Sequence, residues 1–359
     1  MVEKRLMHTK NVLFVGPNYK KRKGGIASVL RLYAENIKEF NFYPSAYFQN
    51  TKLNFLLLPF LCFGFLLKLF FLGKKIKIVH IHGASRGSFY RKYLFFLISK
   101  KVFKKKLIYH VHGAEYHVFY ENASKKVKKH IQRMINNADL IIALSEEWSI
   151  FFKKNFSPKK LVVLNNIVAY RKEQEQNIPK KFLQLLFLGR IGERKGTFDL
   201  IDVIAEHKSY FEDKLRLVIG GDGAIYELKQ KIGESNIQDI VTYIGWVDGR
   251  KKEELLATSN ILVLPSYNEG LPISLLEGMS YSMPIIATNV GGIPQILKHN
   301  INGISVAPGD KKQLAEAIKF YIENTEKLVE HGKASYQQAK NFFPSKVINE
   351  LEGIYRNLI

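Results

Sequence analysis

Cysteine is almost absent from this sequence: Cys62 is the only one among 359 residues. A single thiol cannot form an intramolecular disulfide, so a disulfide-stapled secreted domain is excluded and a reducing compartment is favoured. The first residues, 1–10, are charged and lead directly into a short apolar run. They lack the apolar core of a cleavable signal peptide, and we therefore expect no secretory signal.

Acidic residues are scarce only in the first half of the chain. Residues 1–180 hold 34 Lys or Arg against 10 Asp or Glu, a net charge of +24, whereas residues 181–359 hold 21 against 22, a net charge of −1. Such asymmetry indicates a polyanionic partner, either nucleic acid or an anionic membrane surface. A genome that favours lysine codons is the alternative explanation. Because no recognised nucleic-acid-binding motif is present, we expect no nucleic acid partner.

Short apolar runs of strand length recur in two series, with helix-compatible sequence between them. The first series lies at 10–16, 76–82, 106–112, 140–144 and 161–164, and the second at 185–189, 215–220, 241–244, 261–264, 284–287 and 303–306. The polar segment 170–180 between the two series has no apolar periodicity and is the predicted linker. Alternating strands and helices imply parallel sheets, and 359 residues suit two α/β domains. The sequence therefore predicts two Rossmann-like doubly wound domains, residues 1–172 and 181–342, with ligands in a central cleft beyond the carboxyl ends of the strands.

Long hydrophobic stretches are limited to Leu53–Leu72, which has about the minimum length for a membrane span. This stretch is interrupted by Pro59, Gly64 and Lys68, and three lysines follow it within five residues. A spanning helix is disfavoured because it would separate the first strand from the rest of its sheet. Two alternatives stay open: a buried core helix, and an interfacial helix that lies on lipid with basic flanks.

The richest chemistry lies in residues 262–294. A strand ends at Pro265, a loop carries Glu269, and a helix follows from about Pro272 through Tyr281. The first backbone N–H groups of a helix have no partner within it and can bind phosphate or sugar oxygens. The groups expected to do so here are the backbone N–H groups of Gly270, Leu271 and Ile273.

Two glutamates in this segment, Glu269 and Glu277, are eight positions apart, which places one in the loop and the other inside the helix. A carboxylate accepts two hydrogen bonds in a fork that matches vicinal hydroxyls, so both can face one sugar-containing ligand. Glu277 lies among apolar helix residues and needs a partner, because a buried unpaired charge is costly.

Cations follow the first strand of the second series. Arg190 and Lys195 lie in the loop after that strand, where they can neutralise a diphosphate, Arg through its planar fork and Lys as a point charge. In the first half, Gly24 and Gly25 open the first helix and allow the backbone to approach a phosphate. His112 follows the strand Leu107–Val111, at another carboxyl end that faces the predicted cleft.

Several other polar residues can have either a functional or a structural role. His80 and His82 can line an acceptor site or be structural, and Glu115 is a possible acceptor-side base. We expect the Gly220–Gly223 turn to be mainly a structural strand-to-helix connection.

Together these residues resemble glycosyltransferase family 4, the large retaining family of GT-B fold, over nearly the whole chain. The most specific feature is the E-x7-E pattern from Glu269 to Glu277. The family's usual P-N-G turn reads Leu164-Asn165-Asn166 here, and asparagine tolerates left-handed φ nearly as glycine does. The resemblance also implies that a C-terminal helix, 345–359, crosses back and packs on the N-terminal domain.

The resemblance implies a role for each candidate. Glu277 would bind the ribose hydroxyls and Glu269 the donor sugar, while Arg190 and Lys195 would bind the diphosphate. The residues implied to act in catalysis are His112, Glu269, Arg190 and Lys195. Those implied to bind the donor are Gly24, Gly25, Arg190, Lys195, Glu269, Gly270, Leu271, Pro272, Ile273 and Glu277. No metal or cofactor is expected, because these cations take over the neutralisation of the diphosphate.

The resulting expectation is a retaining hexosyltransferase that uses a nucleoside diphosphate sugar, with UDP favoured and GDP possible. Its expected acceptor is a saccharide on a polyprenyl diphosphate, extended for a capsule, O-antigen or similar polymer. The excess of positive charge places the enzyme peripherally on the cytoplasmic face of the membrane. A nucleotide-sugar 2-epimerase of GT-B fold and a non-catalytic membrane-binding protein of that fold are the alternatives.

Overall fold

We describe residues 9–175, 178–179 and 181–358 from a computed structural model. The chain divides into two compact units, Met1–Ile167 with Phe343–Ile359, and Val168–Phe342. We call them the N-terminal and the C-terminal unit. Each contains one six-stranded parallel sheet with helices packed around it. The predicted pair of Rossmann-like α/β domains is confirmed.

The sheet of the N-terminal unit has the order β2-β1-β3-β4-β5-β6. Its strands are β1 Val12–Pro17, β2 Phe42–Ala46, β3 Ile78–Gly83, β4 Lys106–Val111, β5 Leu140–Ala143 and β6 Leu161–Val163. Its helices are α1 Gly25–Asn36, α2 Thr51–Leu56, α3 Leu58–Leu72, α4 Gly87–Leu97, α5 Tyr116–Glu121, α6 Lys125–Asn137 and α7 Glu146–Asn155. Strand β2 was not predicted, because it is a half-buried edge strand that contains Pro44 and has no continuous apolar run.

The sheet of the C-terminal unit has the order β12-β11-β10-β7-β8-β9. Its strands are β7 Leu183–Leu188, β8 Leu215–Gly220, β9 Val241–Tyr243, β10 Ile261–Leu264, β11 Ile285–Thr288 and β12 Gly303–Val306. Its helices are α8 Thr197–Glu206, α9 Lys208–Phe211, α10 Ile225–Glu234, α11 Gly249–Thr258, α12 Ile273–Ser280, α13 Ile293–Ile296, α14 Lys311–Glu323 and α15 Glu326–Ala339. The strand order reverses between β7 and β10, and ligands of doubly wound sheets bind beyond the carboxyl ends at such a point.

The hydrophobic stretch 53–72 forms helices α2 and α3 rather than one continuous helix. One side of α3 packs into the core of the N-terminal unit through Leu58, Leu61, Phe65 and Leu69. Of the two alternatives left open by the sequence, the buried core helix describes this side of α3. Throughout the described ranges, we find no helix whose length and apolar character suffice to cross a membrane.

The last helix, α16 Pro344–Arg356, packs against α1 within the N-terminal unit. Its buried Tyr355 forms a hydrogen bond of 2.6 Å between the phenolic oxygen and His80 Nδ1 on β3. Of the predicted linker 170–180, positions 176, 177 and 180 lie outside the described residues.

Candidate active site

In the C-terminal sheet, the loop after β10 packs closely against the loops after β7 and β11 at two glycines. Gly196, after β7, has φ +62°, and a side chain there would lie 1.9 Å from the carbonyl oxygen of Pro265, after β10. Gly291 has φ +58°, and its added Cβ would lie 2.0 Å from the carbonyl oxygen of Glu269. Only glycine fits these positions. The loop that carries Glu269 is therefore enclosed on two sides by close backbone contacts.

The Glu269 carboxylate lies in this enclosed loop with 5% of its side chain exposed. It forms an ion pair with Lys195, which is 13% exposed, and accepts a hydrogen bond of 2.7 Å from the Ser266 hydroxyl. Arg194 donates to the carbonyl oxygen of Asn268 at 2.9 Å. The structure thus brings together two residues that the sequence placed in separate loops, and Ser266 is an additional partner that sequence reasoning missed.

The second glutamate, Glu277, lies one turn into α12 and is 20% exposed. Its carboxylate pairs with Lys252 Nζ of α11 at 2.6 Å. Pro272 is the residue before the first helical position, with an extended backbone, so α12 begins one residue later than predicted. Sequence reasoning required a partner for Glu277 but did not identify Lys252. The signal for Lys252 in the sequence was its position in the first turn of α11, the helix that precedes β10.

Arg190 differs from Lys195 in being exposed. Across the part of the chain that the structure describes, it takes part in no ion pair. Its loop packs on the Gly220–Gly223 turn, where the Ile191 N–H donates to the Asp222 carbonyl oxygen at 2.6 Å. An added Cβ at Gly223 would lie 2.3 Å from the Ile191 carbonyl oxygen, so this turn supports the loop that presents Arg190.

In the N-terminal unit, Gly24 precedes α1 with φ +111°, and an added Cβ would meet nothing within 4 Å. Among the residues that the structure describes, no side chain caps α1, whose first residue is Gly25. The first N–H groups of this helix are thus open to an anion, as expected from the two glycines.

Four histidines stack along β3 and β4, and we call them the histidine ladder: His80, His82, His110 and His112. His82 Nδ1 lies 2.9 Å from His112 Nε2 at the carboxyl end of the strands. Burial lowers the pKa of His80 to about 3, and burial together with the neighbouring rings holds the pKa of His82 and His110 well below the usual 6.5. The ladder is therefore neutral near pH 7.

At the carboxyl end of the ladder, His112 is partly accessible and also hydrogen-bonds Asn166. Burial lowers the pKa of His112 below its usual value. Since the ring has only two nitrogens, a sugar hydroxyl would bond to this neutral imidazole in exchange for His82 or Asn166. Glu115 lies three residues further on, partly exposed, at the start of α5.

One group of side chains has the spacing of metal ligands among the residues described: His80, His82 and His110, whose ring nitrogens lie within 4.8 Å of one another. All three belong to the strands β3 and β4 and are fully buried. These histidines are not the residues expected to bind the diphosphate, so they do not test the expectation of a metal-free donor site. That expectation stays a prediction.

Comparison with known proteins gives a family match over the C-terminal half of the chain. The family model for glycosyl transferases group 1 matches residues 170–338, which include the paired glutamates, Arg190 and Lys195. An uncharacterised 41.2 kDa protein in the cps region of Klebsiella pneumoniae is 27% identical over 93% of this chain and 97% of its own. An uncharacterised glycosyltransferase of Methanocaldococcus jannaschii, MJ1069, is 25% identical over 87% of this chain and 74% of its own.

A third relative is the putative colanic acid biosynthesis glycosyltransferase WcaL of Escherichia coli, 22% identical over 66% of this chain and 62% of its own. Among solved structures, Anabaena Alr3699/HepE in complex with UDP has a TM-score of 0.77 at 17% identity, over 97% of this chain and 100% of its own. The same protein has been solved with UDP-glucose. This likeness confirms the GT-B fold. The family match makes residues 170–338 similar to group 1 glycosyl transferases.

Proposed function

We propose that this chain is a group 1 glycosyltransferase that transfers a hexose with retention from a nucleoside diphosphate sugar to a saccharide acceptor; the family match over residues 170–338 supports this. The observation that carries the proposal is the pairing of Glu269 with Lys195 and of Glu277 with Lys252 beside the switch point of the C-terminal sheet. UDP is favoured as the nucleotide, with GDP as the alternative. UDP and UDP-glucose bound to a protein of the same fold support this choice.

Each charged group would contact a different part of the donor. Glu277 would accept hydrogen bonds from the ribose hydroxyls, while the first N–H groups of α12 and the cations Arg190 and Lys195 would hold the diphosphate. Glu269 would contact the donor sugar. Because Lys195 already pairs with Glu269, the diphosphate would share an ammonium group that is fixed in place before the donor arrives.

Retention is proposed to follow a front-face course. The bond between the anomeric carbon and the diphosphate oxygen breaks, the acceptor oxygen bonds to the same face of that carbon, and the departing oxygen takes the acceptor proton. The main catalytic effect is then stabilisation of negative charge on the leaving diphosphate, which Arg190 and Lys195 would supply. His112, neutral near pH 7, is proposed to orient a hydroxyl of the transferred sugar.

The acceptor is proposed to be a saccharide on a polyprenyl diphosphate, extended at the cytoplasmic face of the membrane for a capsule, O-antigen or similar polymer. Relatives from a cps region and from colanic acid biosynthesis support a role in polysaccharide synthesis. The +24 net charge of residues 1–180 supports peripheral attachment to an anionic leaflet.

The test is a thermal-shift screen against UDP-, GDP- and ADP-sugars, followed by measurement of free nucleotide with and without lipid-linked acceptor. A ligand that binds the native state raises the unfolding midpoint. Transfer requires nucleotide release that depends on the acceptor. A 2-epimerase would instead change the sugar without acceptor, and a non-catalytic protein would release nothing; either result rejects the proposal.

A further inference from the structure

Helices α2 and α3 expose a continuous apolar face to solvent. Its members are Leu56, Phe60, Phe63, Leu67, Phe70 and Phe71, and we call it the apolar face. Phe60, Phe70 and Phe71 are 74%, 73% and 77% exposed. In α3 these residues recur at intervals of three and four, which places them on one side of the helix.

The opposite side of α3 is already occupied by the core through Leu58, Leu61, Phe65 and Leu69. The helix is therefore apolar on both sides, whereas a helix on the surface of a globular protein normally turns a polar face outward. Its single charged residue, Lys68, turns away from the apolar face. The Lys68 ammonium donates to the carbonyl oxygen of Phe42 at 3.0 Å, and burial lowers its pKa.

A contiguous patch of this kind marks an interaction surface, because soluble monomers seldom expose several large apolar side chains side by side. The neighbouring helix α4, which packs on α3, also exposes two large apolar side chains, Tyr90 and Leu94, at 41% and 38%. Other exposed apolar side chains, such as Ile150 and Ile301, lie far from this segment along the chain.

The charge of the surrounding chain segment indicates what kind of surface binds the apolar face. Residues 40–114, which contain the apolar face, include 13 Lys or Arg and no Asp or Glu. Exposed lysines flank the helix pair at both ends: Lys52 at the start of α2, and Lys74, Lys75 and Lys77 after α3. An apolar face with basic flanks and no acidic neighbour in the chain segment fits a surface that is apolar inside and negative at its boundary.

We propose that α2 and α3 lie in the plane of an anionic lipid leaflet, with the apolar face among the acyl chains and the flanking lysines at the headgroups. This deepens the proposed function, since it names the surface by which the enzyme would reach a lipid-linked acceptor. A second copy of the chain is a poorer occupant, because a two-fold interface would bring the same lysines against each other. An acidic protein partner would satisfy the lysines but not a face built only of Phe and Leu.

The test is flotation of the purified full chain with vesicles of phosphatidylcholine alone, and with vesicles that also contain phosphatidylglycerol. We expect flotation with the anionic vesicles only, weakened by 0.5 M NaCl as expected for screened charge. The double variant Phe63→Ser and Phe70→Ser should lower the partition coefficient at least tenfold. Its matched control, Ile150→Ser and Ile301→Ser, removes two side chains of similar exposure, 64% and 60%, and should float like the wild type.

The contribution of the flanking lysines is tested with two triple variants that have the same change in net charge. The first replaces the flanking lysines: Lys52→Glu, Lys74→Glu and Lys75→Glu. The second replaces exposed lysines of the C-terminal unit: Lys251→Glu, Lys312→Glu and Lys333→Glu. Only the first should abolish binding to anionic vesicles.

Insertion is tested separately with Phe70→Trp and brominated lipid. The native tryptophans, Trp148 and Trp246, lie outside the apolar face, so quenching above the wild-type level reports the new side chain. Donor binding measured without lipid on every variant shows whether the protein is folded and keeps this proposal apart from the proposed function. The proposal is overturned by flotation of the Phe63/Phe70 variant at the wild-type level, by absent flotation of the wild type, or by a dimer that this variant dissociates.

Discussion

Removal of the Lys195 ammonium should destabilise the donor-free protein. In Lys195→Met, the Glu269 carboxylate, 5% exposed, would keep the Ser266 hydroxyl but lose its cation. Removing one partner of a buried ion pair costs about 3–5 kcal/mol, and we expect about 3 kcal/mol because Ser266 still donates. Glu269→Gln removes the charge that needs compensation, and its cost should be smaller.

The double variant Lys195→Met/Glu269→Gln then tests whether the two residues form a pair. With both charges gone, its destabilisation should fall below the sum of the two single effects by about 1–2 kcal/mol, the coupling typical of residues in contact. The assay is urea unfolding without donor. Trp246 in the C-terminal unit reports this transition once Trp148→Phe has removed the signal of the N-terminal unit.

Additive single effects, with a coupling below about 0.5 kcal/mol, would refute the pairing. A matched control comes from Lys327 and Glu330, an exposed ion pair three residues apart in α15 of the same unit. Exposed pairs contribute little, and the same cycle there should give a coupling near zero. A large coupling at the control pair would show that the assay does not isolate burial.

Three further results are expected. Glu277→Ala should lower kcat/KM by about 100-fold or more, through loss of a polar contact in the donor site, and steady-state kinetics near the wild-type value would remove Glu277 from that site. Stability should fall as the pH drops below 6.5, because the unfolded chain binds protons that the histidine ladder, with pKa values held low by burial, does not; each such histidine gives about 2 kcal/mol between pH 7 and pH 5. Equal urea midpoints at the two pH values would contradict this. Donor binding measured by calorimetry should be unchanged by EDTA, since Arg190 and Lys195 are proposed to hold the diphosphate, and loss of binding with EDTA would show that a metal is required.

The sequence predicted those structural features that depend on residues close together in the chain. Apolar runs identified every strand except β2, whose polar and proline-containing edge gives no such run. The loop between β10 and α12 was identified from residues 265–272 because its turn residues and helix start are adjacent in the chain. The partner of Glu277 was not identified, since Lys252 is 25 positions away and only the packing of α11 brings it near.

The histidine ladder shows the same limit. Alternation in β3 places His80 and His82 on one face, and this much follows from the period of a strand. That His82 lies opposite His110 depends on the register between β3 and β4, which is set by the whole sheet. The two faces of α3 were likewise ambiguous, because apolar residues occur all around the helix and only the fold decides which of them it buries.

The central claim is that the C-terminal unit binds a nucleoside diphosphate sugar through Lys195 and Glu277. The most direct measurement is isothermal titration of UDP, GDP and ADP, and of their sugars, into the wild type, Lys195→Met and Glu277→Ala. We predict that the wild type binds one nucleotide class, with UDP favoured, and that each variant binds it about 100-fold more weakly, a loss of about 2.7 kcal/mol. Absence of binding to every nucleotide, or wild-type affinity in both variants, would contradict the assignment.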